Sequence, residues 1–249
     1  MAGHSQFKNI MRRKGAQDAK RAKIFTKIAR EIIVAAKSGQ PDINFNAKLR
    51  TVVIKARQAG LPKDKIEAAI AKGAGTGASE DYVAVRYEGY GPGGVAILID
   101  ALTDNRNRTA PEIRHIFTKA DCTMGESGSV GFMFDHVGQI EYPADKIGEE
   151  AMLDAAIEAG ADNCETADGV HTITTSMESF GPARDALAAK FGDAQSAKLT
   201  FVPKTTAPIS GADAEKLMEF IETLEDNDDV QDVYSNAEFD AATLDKLSA

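Results

Sequence analysis

Lys and Arg side chains are concentrated at the N-terminal end of this 249-residue chain. Residues 1–75 contain 17 Lys and Arg but only 5 Asp and Glu, a net charge of +12, whereas residues 76–249 carry a net charge of −21. The whole-chain net charge of −9 would by itself argue against a nucleic-acid partner. The asymmetry instead predicts a polyanion-binding segment attached to an acidic body.

One face of a predicted N-terminal helix carries a row of cations, which we call the cationic stripe. Its members are spaced three, four and three residues apart, about 140° around the helix from the apolar stripe. They are Lys20, Lys23, Lys27 and Arg30. Asp18 and Glu31 are the only acidic residues among the first 41, whereas a solvated face normally mixes signs. We therefore expect the stripe to follow a phosphate backbone.

A second basic group precedes this helix. It consists of Lys8, Arg12, Arg13 and Lys14. Gly3 and Gly15 flank the group and its periodicity is weak, so we expect a mobile arm that becomes ordered on a polyanion. If base sequence is read at all, Arg12, Arg13, Gln17 and Arg21 are the better placed residues.

Three amphipathic helices must position these cations. The apolar spacing predicts helices over residues 16–37, 44–59 and 62–73, followed by a Gly-rich linker at residues 72–80. We assign residues 1–76 to a basic helical domain with the mobile arm. The second and third helices imitate a helix-turn-helix, but residues 62–72 offer only Lys as cationic donors, which contact phosphates better than bases.

After the linker the pattern changes to that of an α+β protein. A hairpin is predicted around residues 82–102, then a helix over 110–120 that begins with a capping box at Thr109 and Glu112. Residues 136–204 follow the order β-α-β-β-α-β, which is ferredoxin-like. A last helix and strand are surplus to that unit, and we expect them to complete the earlier piece. The predicted second domain therefore comprises residues 80–135 and 205–249, with residues 136–204 inserted as the third.

Two further charged groups lie in the acidic body. The first is a polar loop before a predicted helix, where two arginines either bind an anion or form part of a capping loop. It comprises Asn105, Arg106, Asn107 and Arg108. The second group is acidic and is most simply a solvated helix end, although it would also repel nucleic acid or shield the basic arm of a neighbour. It comprises Glu222, Glu225, Asp226, Asp228 and Asp229.

Residue patterns for other chemistry are missing from the sequence. It contains no Gly-x-Ser-x-Gly, HExxH, Walker or DxDxDG motif, so we expect no enzyme activity, no metal, no cofactor and no small-molecule substrate. The two cysteines, Cys122 and Cys164, are 42 positions apart, and we expect reduced thiols in a cytosolic protein. The longest apolar runs have five residues, so we expect no membrane partner and a cytoplasmic location.

Several long strings of the sequence resemble the YebC/PmpR family. They are GHSQFKNIMRRKGAQDAKRAKIFTKIAREI, LPKDKIEAAIAKG, YEGYGPGGVAILIDALTDNRNRT and EIRHIFTKADCTMGESGSVGFMFD, followed by the acidic tail. The resemblance covers nearly the whole chain. It implies three domains, one helical and two α+β, with the third inserted in the second.

The resemblance also implies function. Bacterial members usually carry the label probable transcriptional regulatory protein, and some look like DNA-binding regulators of operons. The mitochondrial relatives, translational activators of cytochrome c oxidase, look like translation factors, and other bacterial members are similar to factors that help ribosomes through proline-rich stretches.

Three hypotheses follow for this chain. The first is a DNA-binding transcriptional regulator. The second is a ribosome-associated translation factor that uses the same basic face on ribosomal RNA. The third is an adaptor whose acidic body binds proteins, which leaves the +12 segment unexplained.

Overall fold

The computed structural model describes residues 17–75, 81–240 and 242–243, so the predicted mobile arm lies outside the described residues. The chain separates into two compact units, one built from the residues up to Phe134 and from Pro203 onward, the other from Asp135 to Val202. No helix in the described part of the chain is long and apolar enough to cross a membrane.

Three helices form the N-terminal part of the first unit. They are α1 (Gln17–Lys37), α2 (Ala47–Gln58) and α3 (Lys63–Gly73). They share a hydrophobic core of their own, in which Ile32, Leu49 and Val53 are almost completely buried. Asn46 caps α2, because its side chain accepts a hydrogen bond from the Leu49 amide at 3.0 Å.

The first unit continues with the elements β1 (Val83–Tyr90), β2 (Ala96–Thr103), α4 (Arg106–Lys119), β3 (Thr123–Met124), α7 (Gly211–Asp226) and β9 (Val230–Ser235). Their strands form a four-stranded antiparallel sheet in the order β3-β1-β2-β9. Side chains of β2, α4 and α7 share a second hydrophobic core. Because β9 pairs with β2, the C-terminal elements complete the sheet that the hairpin begins.

Helix α4 begins earlier than expected. Asn105 is its N-cap and accepts a hydrogen bond from the Arg108 amide, so the predicted capping box at Thr109 and Glu112 is wrong. Thr109 instead lies inside the helix and is fully buried. The polar residues Arg106 to Arg108 are therefore the first turn of a helix rather than a loop before it.

The second unit is a ferredoxin-like domain. It contains β4 (Phe134–Pro143), α5 (Glu149–Glu158), β5 (Asn163–Ala167), β6 (Val170–Thr175), α6 (Phe180–Phe191) and β7 (Ser196–Pro203). Its strands lie in the order β5-β6-β4-β7, and Ile140, Met152 and Ile173 lie in its core. In the first unit, two further short strands, β8 (Ala207–Ile209) and β10 (Ala237–Phe239), form a separate parallel pair. The fold class is confirmed: a three-helix domain precedes two α+β domains, and the third is inserted in the second.

Candidate nucleic-acid interface

Three cations of the stripe contact the C-terminal end of α7 and the residues that follow it. The Lys23 Nζ lies 2.8 Å from an Asp226 carboxylate oxygen, and the Lys27 Nζ donates to the Glu225 carbonyl at 2.6 Å. Arg30 donates to an Asp229 carboxylate oxygen at 2.8 Å. The side chain of the fourth member, Lys20, lies outside the described residues. In this conformation the stripe binds oxygens of its own chain.

Burial changes the pKa of Lys27, the middle one of the three cations in this contact. Desolvation lowers the pKa of Lys27, and the nearby Glu225 and Asp232 carboxylates offset this only in part. Lys23 remains more accessible, because 42% of its side chain is exposed. The contact therefore has a solvent-facing side at Lys23 and a buried side at Arg30, whose side chain is 16% exposed.

Asp229 is the buried anchor of the contact. One carboxylate oxygen binds Arg30, and the other accepts hydrogen bonds from Arg108 and Thr109, both at 2.7 Å. The residue is 3% exposed, so the prediction that this acidic group is a solvated helix end is wrong for Asp229. Burial would raise the pKa of Asp229, but the hydrogen bonds from Arg108 and Thr109 outweigh it and hold that pKa below its ordinary value.

Part of the predicted anion-binding loop binds the Asp229 carboxylate. Arg108 binds the carboxylates of Asp229 and Asp104 and so already has internal anions, and these hydrogen bonds raise its pKa. Asn105 caps α4. Arg106 and Asn107 remain exposed on the first turn of the helix.

A different group of cations faces solvent, at the end of the helical bundle where α1 begins. Arg21 lies over the Phe25 ring, 5.4 Å from its centroid, and a Cβ added at Gly60 would lie 3.0 Å from its guanidinium. Gly60 links α2 to α3 with a φ of +78°, so Arg57 and Lys63 flank the same turn. Arg21, Arg57 and Lys63 are all exposed, and we call them the basic end.

The exposed donors on α3 suit phosphate contact better than base reading. On α3, Lys63 and Lys65 are exposed, and the helix contains no Arg, Asn or Gln. Lys donors bind phosphate as point charges and discriminate weakly between bases.

Two family models match the chain, one after the other. The model for the TACO1/YebC protein N-terminal domain matches residues 5–76, and the model for the TACO1/YebC second and third domain matches residues 82–237. The chain belongs to the TACO1/YebC family. The match covers the three helices, the first sheet and the inserted unit, so the resemblance found in the sequence is confirmed.

A solved structure supports this assignment. The crystal structure of a conserved hypothetical protein from Aquifex aeolicus is similar to this TACO1/YebC protein, with 42% sequence identity and a TM-score of 0.82. The similarity covers 90% of this chain and 92% of the Aquifex chain. TACO1/YebC membership is consistent with a regulator that binds nucleic acid.

The structure brings together some predicted site residues of this TACO1/YebC protein and separates others. Lys23, Lys27 and Arg30 share one contact, whereas Arg21 lies apart from them at the α2–α3 turn. Sequence reasoning did not include Arg57 or Lys63 among the site residues. The sequence did indicate that these two residues flank one turn, because both lie within three positions of Gly60, which ends the second helical pattern.

Proposed function

We propose that this TACO1/YebC protein is a non-enzymatic, nucleic-acid-binding regulator of gene expression in the cytoplasm, acting on DNA as a transcriptional regulator. The observation that carries the proposal is the basic end, where Arg21 near the start of α1 is exposed beside the Gly60 turn, and the exposed Arg57 and Lys63 flank that turn. Cations that converge from several helices onto one surface attract a phosphate backbone and release its counterions on binding.

The two thiols support a non-enzymatic role. Burial, together with the nearby Asp121 carboxylate, raises the pKa of the Cys122 thiol. Burial and the Glu149 carboxylate raise the pKa of the Cys164 thiol in the same way. A raised pKa disfavours the thiolate, which is the nucleophilic form of cysteine.

A second candidate function is a ribosome-associated translation factor that binds ribosomal RNA and relieves stalls at proline-rich stretches. The observation that favours it is the pair of exposed donors at the start of α3, Lys63 and Lys65, on a helix that contains no Arg, Asn or Gln. Structured RNA is recognised largely through backbone and shape, which such donors suit.

A binding experiment tests the basic end directly. The triple variant Arg21→Glu, Arg57→Glu, Lys63→Glu is compared with wild type on duplex DNA and duplex RNA across a salt series. We expect at least a ~30-fold loss of affinity and a salt slope that falls by about 2 to 3, because each lost phosphate contact contributes about 0.9 to that slope.

The matched control reverses three exposed lysines elsewhere: Lys119→Glu, Lys146→Glu and Lys216→Glu. It makes the same change in net charge, so an equal loss in both variants would show a general charge effect and contradict the assignment. Crosslinking in growing cells, with bound DNA and RNA sequenced from one sample, then separates the two functions. Reads at a few promoters support transcription, and reads on ribosomal RNA support translation.

A further inference from the structure

We propose that the end of α7 is an internal polyanion that holds Lys23 and Lys27 and must release them before they bind nucleic acid. This inference rests on the proposed function and adds a regulatory contact to it. The cationic stripe is then a second nucleic-acid surface that is closed in this conformation. The cations of the basic end are exposed, and the ion pair of Lys63 with Glu67, at 3.7 Å, is exposed as well.

The chemistry of the α7 end resembles that of a phosphate backbone. Helix C-terminal carbonyls lack partners within the helix and carry the negative end of the helix dipole. Here the Glu225 carbonyl accepts from Lys27, and Asp226 adds both a carboxylate and a carbonyl oxygen that accept from Lys23. The stripe therefore meets a row of partly and fully negative oxygens, as it would along a nucleic acid.

The side of the contact at Lys23 and Asp226 opens at little cost in stability. The Asp226 side chain is 67% exposed and that of Lys23 is 42% exposed, and exposed ion pairs contribute little to stability. The helical bundle and the first sheet have separate hydrophobic cores, so opening this side does not break a shared core. Polar contacts between parts with separate cores allow relative motion.

The buried side of the contact limits the motion. Arg30 binds both the Asp228 carbonyl and the buried Asp229 carboxylate, and it lies 5.3 Å from the centroid of the Tyr82 ring. We assign Arg30 to the hinge side, which stays closed, and Lys23 and Lys27 to the side that opens. Nucleic acid and the α7 end then compete for the same two ammonium groups.

Substitution of the exposed carboxylate tests the competition. Asp226→Asn removes the anion that faces Lys23, and Glu215→Gln makes the same charge change on an exposed residue near the other end of α7. Affinity of the full chain is measured for mixed-sequence DNA and RNA duplexes of about 20 base pairs at low salt. We expect Asp226→Asn to bind about three- to ten-fold more tightly than wild type and Glu215→Gln to stay within two-fold. Equal affinities for the two variants would overturn the inference.

A second measurement follows the contact itself. Hydrogen exchange of the amides of residues 225–228 is compared with and without saturating duplex. We expect faster exchange at these residues when the duplex is bound, because the α7 end loses its cations. Unchanged or slower exchange overturns the inference.

The two proposals fail in different ways. If neither wild type nor Asp226→Asn binds either duplex, the proposed function is wrong and this inference falls with it. If binding depends on the basic end but Asp226→Asn and Glu215→Gln behave alike, the proposed function stands and only the internal polyanion is wrong.

Discussion

Asp229 shows at the scale of single residues how one buried carboxylate connects three elements. Its two oxygens bind Arg30 of α1 and Arg108 of α4, and Asp229 itself lies just before β9. Thr103 also lies within 3.2 Å of this carboxylate. An anion that is buried among such partners stabilises the fold only while all partners are present.

Replacement of this anchor is expected to destabilise the protein. Asp229→Asn keeps the shape but leaves the Arg30 guanidinium without its carboxylate and Arg108 with Asp104 alone of its two carboxylates, so we expect a loss of about 2–4 kcal/mol in the free energy of unfolding. The matched control is Asp228→Asn, whose side chain is exposed and which we expect to change stability by less than about 0.5 kcal/mol. Urea unfolding measures both.

The same pair of proteins gives a pH prediction. The pKa of Asp229 is lowered in the folded state, so its contribution is fully present above the unfolded-state pKa of about 3.9 and is lost as pH falls. We expect the stability gap between wild type and Asp229→Asn to be largest near neutral pH and to shrink below about pH 4. A gap that is constant with pH would contradict the assigned role.

At the scale of elements, the approach of α3 to α1 depends on one glycine. A Cβ added at Gly73 would lie 2.6 Å from the Ile33 carbonyl and 2.7 Å from the Ala36 Cβ. Gly73 is therefore the position where the third helix touches the backbone of the first.

We expect Gly73→Ala to lower the free energy of unfolding by about 1–3 kcal/mol, because the added methyl group forces the two helices apart. Gly181→Ala is the matched control, since a Cβ there meets nothing within 4 Å and the residue lies in the first turn of α6. Thermal unfolding of both variants measures the difference. Equal melting temperatures would show that the bundle accommodates the methyl group.

Sequence patterns were sufficient for the elements but not for some of their ends. Apolar spacing predicted α1 to α3 because local periodicity and Gly stops carry that information. The start of α4 was predicted wrongly because Thr109, which reads as a capping residue, is needed inside the helix to bind Asp229, 120 positions away. No local pattern records a partner at that separation.

The same limit applies to the candidate site. Helical spacing grouped Lys23, Lys27 and Arg30 on one face, and they do lie on one face. Their partners are at positions 225–229, about 200 residues away, so the sequence did not reveal that this face is covered. Arg57 and Lys63 were left out because the turn that they flank meets Arg21 only when the helices pack.

At the scale of the whole molecule, the two chain segments that flank the inserted residues lie side by side in the first unit. The Lys204 amide donates to the Met133 carbonyl at 2.9 Å, so the chain segments before and after the insertion are joined by a backbone hydrogen bond. Element counting predicted this insertion, because a helix and a strand were left over after the ferredoxin-like order was complete. The chain boundaries of the three predicted domains stay predictions.

We expect the first unit to fold without the second. When residues 135–202 are replaced by a short Gly-Ser linker, the first sheet and the helical bundle keep their cores, since each cluster draws on residues outside that segment. The removed segment holds 13 Asp and Glu against 4 Lys and Arg. Nucleic-acid affinity is therefore expected to equal or exceed that of the full chain, and loss of binding with retained circular dichroism would place part of the interface in the removed unit.

The central claim is that nucleic acid contacts the helical domain at its basic end. Ultraviolet crosslinking of the full chain to a bound duplex, followed by mass spectrometry of the crosslinked peptides, tests it most directly. We predict crosslinks in peptides that contain Arg21, Arg57 or Lys63 and their loss in the triple Glu variant. Crosslinks confined to residues 135–202, or unchanged in that variant, would contradict the account.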